Sequence, residues 1–208
     1  MMKYLLLSFT LALFACHSSN EAVQNKEEKT MIPDSIPAKQ EGKTRIAETG
    51  TNCNRGTAEP IVRKGTFSNS TFELQPDKLT GVETINQDNG DKIRIRNWGC
   101  DYYALTFRFE TDRFKGEPSN VGFWYKRTVT LLNELNKNLD APVDIVKGTE
   151  RLITAIEDNV PTGYENMKYN EEFDFGEEAP RNFVSIDKVE QLDNGKFAIE
   201  VTFAKGPL

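Results

Sequence analysis

The chain has 208 residues, 38% of them hydrophobic, 28% charged and 10% aromatic, which is close to the average for a globular protein. That composition excludes a disordered chain, a collagen-like chain and a polytopic membrane protein. The formal net charge of −6 offers no basic excess for a nucleic-acid backbone, so nucleic acid is not an expected partner.

The first sixteen residues read MMKYLLLSFTLALFAC. Lys3 gives a positive start, and Leu5 to Phe14 is an apolar run broken only by Ser8 and Thr10. A permanent membrane helix needs about 20 apolar residues, so this shorter run reads as a secretory signal over residues 1–15. Its last four residues, Leu13-Phe14-Ala15-Cys16, resemble the lipobox of bacterial lipoproteins. The resemblance covers this segment only. It implies cleavage before Cys16, acylation of that cysteine with chains such as palmitate, and anchoring in the cell envelope. His17, not aspartate, follows the cysteine. That implies an outer-membrane destination, on the periplasmic face or the cell surface.

Residues 16–51 contain no aromatic side chain and few large aliphatic ones, but many Ser, Lys, Glu, Pro and Gln. Such a stretch buries too little apolar surface to offset its ordering entropy. It reads as a tether behind the lipid, with a reach on the order of 30 Å. Residues 52–208 then read as a single domain, long enough for one core.

Within that domain the segment TFSNSTFEL (66–74) suggests a first strand. The runs 81–85 and 92–96 flank Asn89-Gly90, a hairpin signal. Asp88-Asn89-Gly90-Asp91 looks like part of a calcium loop but lacks the EF-hand spacing and distal glutamate, and a turn explains it better. From Asp101 to Thr111 the chain alternates, with Tyr103, Leu105, Phe107 and Phe109 on one face and Tyr102, Thr106, Arg108 and Glu110 on the other.

The period then lengthens. Ser119 is the expected N-cap of a helix whose apolar stripe is Val121, Tyr125, Leu132, Leu135 and Leu139, ending before Pro142. A shorter helix follows, starting near Thr149, with Leu152, Ile153, Ile156 and Val160 inward and Pro161 and Gly163 at its end. After a polar connection over 162–181, a hairpin closes the chain: 182–192, the turn Asp193-Asn194-Gly195, and 196–204 with Phe197, Ile199, Val201 and Phe203 on one face. The predicted fold class is α+β: an antiparallel sheet with two helices packed on one face, in the order β-strands, two helices, C-terminal β-hairpin.

Cys53 and Cys100 remain once Cys16 is assigned to lipid. An even pair in an exported chain predicts a disulfide. The lone histidine, His17, lies outside the domain, which excludes Ser-His-Asp and Cys-His catalysis and histidine-bearing zinc sites within it. No GxGxxG or GxxxxGK[ST] sequence occurs. No catalytic residue, metal or cofactor is predicted. The acids Glu171, Glu172, Asp174, Glu177 and Glu178 crowd one connection. They read as a solvated face, with a glycosidase pair or a calcium site as the functional alternatives.

Two features point to binding. Aromatic residues gather around Trp98, Tyr102, Tyr103, Phe123, Trp124 and Tyr125, either as core or as a surface for protein or glycan. Lys92, Arg94, Arg96 and Arg108 lie on the outward phase of their strands, either free to steer an acidic partner or paired with Glu83 and Glu110. The candidate partner-binding residues are therefore Arg94, Arg96, Trp98, Tyr102, Arg108 and Trp124. The expected function is a lipid-anchored, non-enzymatic envelope binding protein, such as an inhibitor or immunity-type protein acting on an envelope enzyme. The alternatives are a carboxylate-dependent cell-wall or polysaccharide hydrolase and a structural component of an envelope assembly.

Overall fold

Alternation along the strands decides the architecture. In the computed structural model, which describes residues 53–176 and 179–206, seven strands form one antiparallel sheet. They are β1 (Ser70–Leu74), β2 (Gly81–Asn86), β3 (Lys92–Trp98), β4 (Tyr103–Thr111), β5 (Phe173–Asp174), β6 (Asn182–Gln191) and β7 (Phe197–Lys205). Their spatial order is β1-β2-β3-β4-β7-β6-β5. The helices α1 (Val121–Leu135) and α2 (Ile145–Asn159) fall between β4 and β5 in the chain. The fold is α+β. The signal, the lipobox with Cys16, the tether, Glu177 and Glu178 lie outside the described residues.

One sheet face carries the apolar phase. Ile85, Ile93, Ile95, Leu105, Phe107, Phe109, Val184, Ile186, Ile199, Val201 and Phe203 are all essentially inaccessible to water. Each large side chain buried in this way contributes roughly 1.5–3 kcal/mol. The helices cover this face: Trp124 of α1 lies 4.7 Å from the Phe197 ring, and Tyr125 meets Phe173 edge-on at 6.1 Å. Gly148 of α2 lets that helix approach β7 closely, since a Cβ there would stand 2.5 Å from the Phe203 ring.

Several local expectations are corrected. The N-cap of α1 is Asn120, whose side chain accepts the Phe123 N–H, not Ser119. Leu139 is buried but lies beyond α1, after a 3-10 turn over Asn136–Asn138. The second helix starts earlier than Thr149, because Asp144 caps it by accepting from the Lys147 N–H. Val160 lies past the end of α2 and is 56% exposed. The strand expected over 66–74 is ordered as a strand only from Ser70 and forms an exposed sheet edge.

A β-bulge in β6 lies between Ile186 and Lys188. Strict alternation from Val184 and Ile186 would turn Val189 outward. The extra residue, Asp187, restores the phase and buries Val189. Cys53 and Cys100 form a disulfide with Cα atoms 5.1 Å apart, joining the start of the described chain to the β3–β4 connection.

Candidate functional site

The sheet face opposite the helices carries the candidate site, because strand register brings most of the predicted residues together there. Arg94 pairs with Arg108 across β3 and β4, Arg96 with Thr106, and Trp98 with Ala104. On the far side of β4, Thr106 meets Thr202 and Arg108 meets Glu200. The face falls into three bands.

The first band is apolar. Ala104, Ala204 and Phe183 are buried, with Trp98 and Tyr102 packed against them. Trp98 and Tyr102 meet edge-on at 5.5 Å, and the Arg96 guanidinium lies 4.8 Å from the Trp98 ring. The second band is a chain of hydroxyls. The Trp98 indole N–H donates to Thr106 Oγ1, which lies 3.0 Å from Thr202 Oγ1. Thr202 and Ser185 each donate to the Asp187 carboxylate. Burial raises the Asp187 carboxyl above its ordinary range, and the two hydroxyl donors oppose that rise.

The third band is charged. Arg108 donates to Glu200 at 2.6 Å, Glu190 at 2.9 Å and Glu110 at 3.1 Å. Burial works to lower its basicity, but these bonds outweigh burial and raise it. Lys188 adds pairs with Glu190 and Glu200. Arg108 is thus neutralised within the face and is not an available cation. Glu83, expected to share this face, lies on the other one. It is 4% exposed and accepts the Ile61 and Val62 N–H groups at 2.8 and 3.0 Å. Burial raises its carboxyl, against those two hydrogen bonds.

Arg94 and Arg96 differ from Arg108. Both are exposed, and neither has a carboxylate within ion-pairing distance among the described residues. With Val82 they line two adjoining depressions. One, of about 530 Å³, is completed by Gln75, Pro76, Asp77 and Thr80. The other, of about 180 Å³, is completed by Thr106, Arg108 and Glu200. Asp77 accepts from the Leu79 and Thr80 N–H groups and from the Thr80 hydroxyl, which fixes the loop between β1 and β2.

Comparison with protein-family models, curated proteins and solved structures gave no match.

Trp124 does not belong to the surface. It is 0% exposed, and its indole N–H donates to the Glu117 carbonyl at 2.9 Å. The buried stripe of α1 is broader than the sequence stripe, taking in Trp124, Tyr125, Thr128, Leu131, Leu132 and Leu135. Of the acidic connection, Glu172 and Asp174 are held by Arg181 at 2.8 and 2.7 Å. Among the described residues, no three His, Cys, Asp or Glu side chains gather as a metal site would require. No described helix is long and apolar enough to cross a membrane.

A second concavity, of about 470 Å³, opens on the helix-covered side beside the disulfide. Arg55, Glu59, Ile61, Asn97, Tyr103 and Asp140 are among its lining residues. Sequence reasoning missed Asn97 and put Glu83 on the wrong face. Each is a polar residue in the apolar phase of its strand, in step with Ile93 and Ile95 or with Ile85, and that mismatch was the available signal.

Proposed function

We propose that the chain is a lipid-anchored, non-enzymatic binding protein of the bacterial envelope. In this reading residues 1–15 are removed, Cys16 carries the lipid, and residues 16–51 tether the domain to the outer membrane. The partner is an envelope protein with an acidic surface, docked on the open face of the sheet, in the manner of an inhibitor or immunity-type protein. One observation carries the reading: Arg94 and Arg96 stand exposed and without an ion pair among the described residues, Arg96 over the Trp98 ring, while Arg108 on the same face is neutralised by three glutamates. Unpaired cations next to an aromatic anchor suit an acidic partner. A net charge of −6 gives that local patch a sign opposite to the rest of the chain.

Capture from envelope extract by the full acylated chain tests the proposal. A defined partner should be retained, and the double substitution Arg94→Glu with Arg96→Glu should release it. Retention by the variant, or the absence of any partner, counts against the open face. Mass spectrometry of the N-terminal fragment tests the anchor, which Cys16→Ser should abolish. For a polysaccharide hydrolase, two carboxylates of the described residues that share a cavity with Tyr103 are Glu59 and Asp140. Asp140, however, is tied to Arg63 at 2.8 Å in an exposed position. Glycan cleavage lost in Glu59→Gln would establish that alternative. A glycan partner or a structural role in an assembly would appear as glycan retention or as a large native complex in the same experiments.

A further inference from the structure

The concavity beside the disulfide has the makings of a ligand site separate from the open face. Its volume of about 470 Å³ falls within the range of roughly 300–1,000 Å³ typical of small-molecule pockets. Three separate pieces of chain wall it: residues 55–61, the facing ends of β3 and β4 through Asn97 and Tyr103, and the α1–α2 connection through Asp140 and Pro142. The Cys53–Cys100 bridge ties the first two walls together. Strand alternation directs Asn97 and Tyr103 away from Arg96, Trp98 and Tyr102, so this cavity and the open face lie on opposite sides of the sheet.

The polar groups in its walls are fixed and incompletely used. Asn97 is 3% exposed. Its amide Nδ2 donates to the Glu59 carbonyl at 2.6 Å, which sets the orientation of the carboxamide. Its Oδ1 is then left buried with no hydrogen-bond partner, and so is the Tyr103 hydroxyl. Native interiors rarely leave such atoms unmatched. Arg55 is braced over the Tyr103 ring at 4.6 Å, with one terminal nitrogen donating to both the Leu79 and Gly99 carbonyls at 3.2 Å. The remaining guanidinium N–H groups make no hydrogen bond to the described residues. Burial pushes the Tyr103 phenol upward, so it stays neutral and can donate.

The charges in the walls select the ligand. Arg55 disfavours a net cation, while Glu59 and Asp140 disfavour a net anion. Because Asp140 is engaged by Arg63, Glu59 is the carboxylate left for a ligand. We propose that this cavity binds a small zwitterion, an amino acid or short peptide, with its carboxylate on Arg55 and the Tyr103 hydroxyl and its ammonium or N–H donating to Asn97 Oδ1 and Glu59.

The test titrates the full chain with alanine and Ala-Ala, using calorimetry and the side-chain amide resonances of Asn97. N-acetylalanine and alaninamide serve as single-charge controls. Saturable binding of either zwitterion is expected, with a shift of the Asn97 amide signals. Each single-charge analogue and Arg55→Gln should bind at least about tenfold more weakly, the loss of one charge-assisted contact. Asn97→Ser should weaken binding likewise. If that variant fails to fold, Arg55→Gln and the analogues still decide the question. Arg94→Glu should bind normally, which separates this site from the open face. The proposal is overturned if millimolar zwitterion moves no Asn97 signal, if a single-charge analogue binds as tightly, or if Arg55→Gln has no effect.

Discussion

Gly148→Ala probes the point where α2 meets the sheet. In a helix interior, alanine is favoured over glycine by about 1 kcal/mol, so propensity alone predicts stabilisation. Geometry predicts the reverse. The new Cβ would stand 2.5 Å from Phe203 Cε1, 2.8 Å from Cδ1 and 2.9 Å from Phe175 Cε1. Relief to ordinary contact needs a displacement of about 1 Å. Neither ring can readily give way. Phe203 is 0% exposed and wedged between Phe107 and Phe175, with ring centroids at 5.8 and 6.3 Å. Overpacking costs about 1–3 kcal/mol; with contacts of 2.5, 2.8 and 2.9 Å this site falls in the upper half of that range, and after the helical gain of about 1 kcal/mol the net loss is roughly 1–2 kcal/mol. Urea slopes for small proteins are about 1–3 kcal/mol per molar, so at a mid-range slope of about 2 kcal/mol per molar the unfolding midpoint should fall by about 0.5–1 M. The buried Trp124, in contact with Phe197, is the fluorescent reporter. Val146→Ala, at an exposed site on the same helix, should change the midpoint little. A Gly148→Ala protein as stable as the parent would refute the close approach of α2 to β7.

Four further outcomes follow from the same geometry. Asp187 and Glu83 have carboxyls raised by burial; the stability they contribute is full below their unfolded values and is lost as pH rises through their folded ones. Urea titrations should therefore show the stability of the parent minus that of Asp187→Asn rising as pH falls from 7 toward 4, and a value that stays constant or falls would contradict the burial of that acid. Reducing the disulfide, whose cysteines are 47 residues apart, should lower stability by roughly 4 kcal/mol on the loop-entropy model, and thiol titration of the native protein should find neither Cys53 nor Cys100 reactive. Asn120→Ala should cost about 1 kcal/mol and Ser119→Ala almost nothing, measured by thermal unfolding. Arg108→Ala should lose about 1 kcal/mol, an effect reduced in high salt, whereas Arg94→Glu with Arg96→Glu should cost little stability and abolish partner capture.

The strands and the sheet were legible because their periodicity is strong. Phe107 and Phe109 or Ile199 and Val201 alternate with polar residues, and only one face could take them inward. The helix caps were harder to place, because Ser119 and Asn120 are both competent and only backbone geometry chooses between them. Asp144 follows Pro142 closely and is a competent cap, but the strong apolar spacing begins only beyond Thr149, so periodicity alone starts the helix too late. The bulge at Asp187 was visible only as a break in step, with Val184 and Ile186 two residues apart and Val189 three further on. Trp124 illustrates a different failure. Its sequence neighbours Phe123 and Tyr125 are also aromatic, and a single sequence does not say which of three adjacent rings faces a sheet.

The basic surface divides for reasons that single-strand patterning cannot capture. Arg94 and Arg108 lie directly opposite each other, an arrangement that like charges disfavour. The face resolves the conflict from one side only. Glu200 and Glu190, contributed from 92 and 82 residues further along the chain, close on Arg108, while β2 presents Val82 and Thr84 toward Arg96 and Arg94. The one acid of β2 that strand counting offered, Glu83, falls in the inward phase and is spent on the Ile61 and Val62 amides. Each carboxylate is thus committed by its register, and Arg94 and Arg96 keep their charge because the strand beside them has no outward acid to give. The same logic works in reverse at Asn97, where the inward phase carries an amide among isoleucines and leaves a buried acceptor at the wall of a cavity. Polar residues out of phase with their strand, and charged residues in phase but without a cross-strand partner, are the two patterns by which this sheet marks its candidate surfaces.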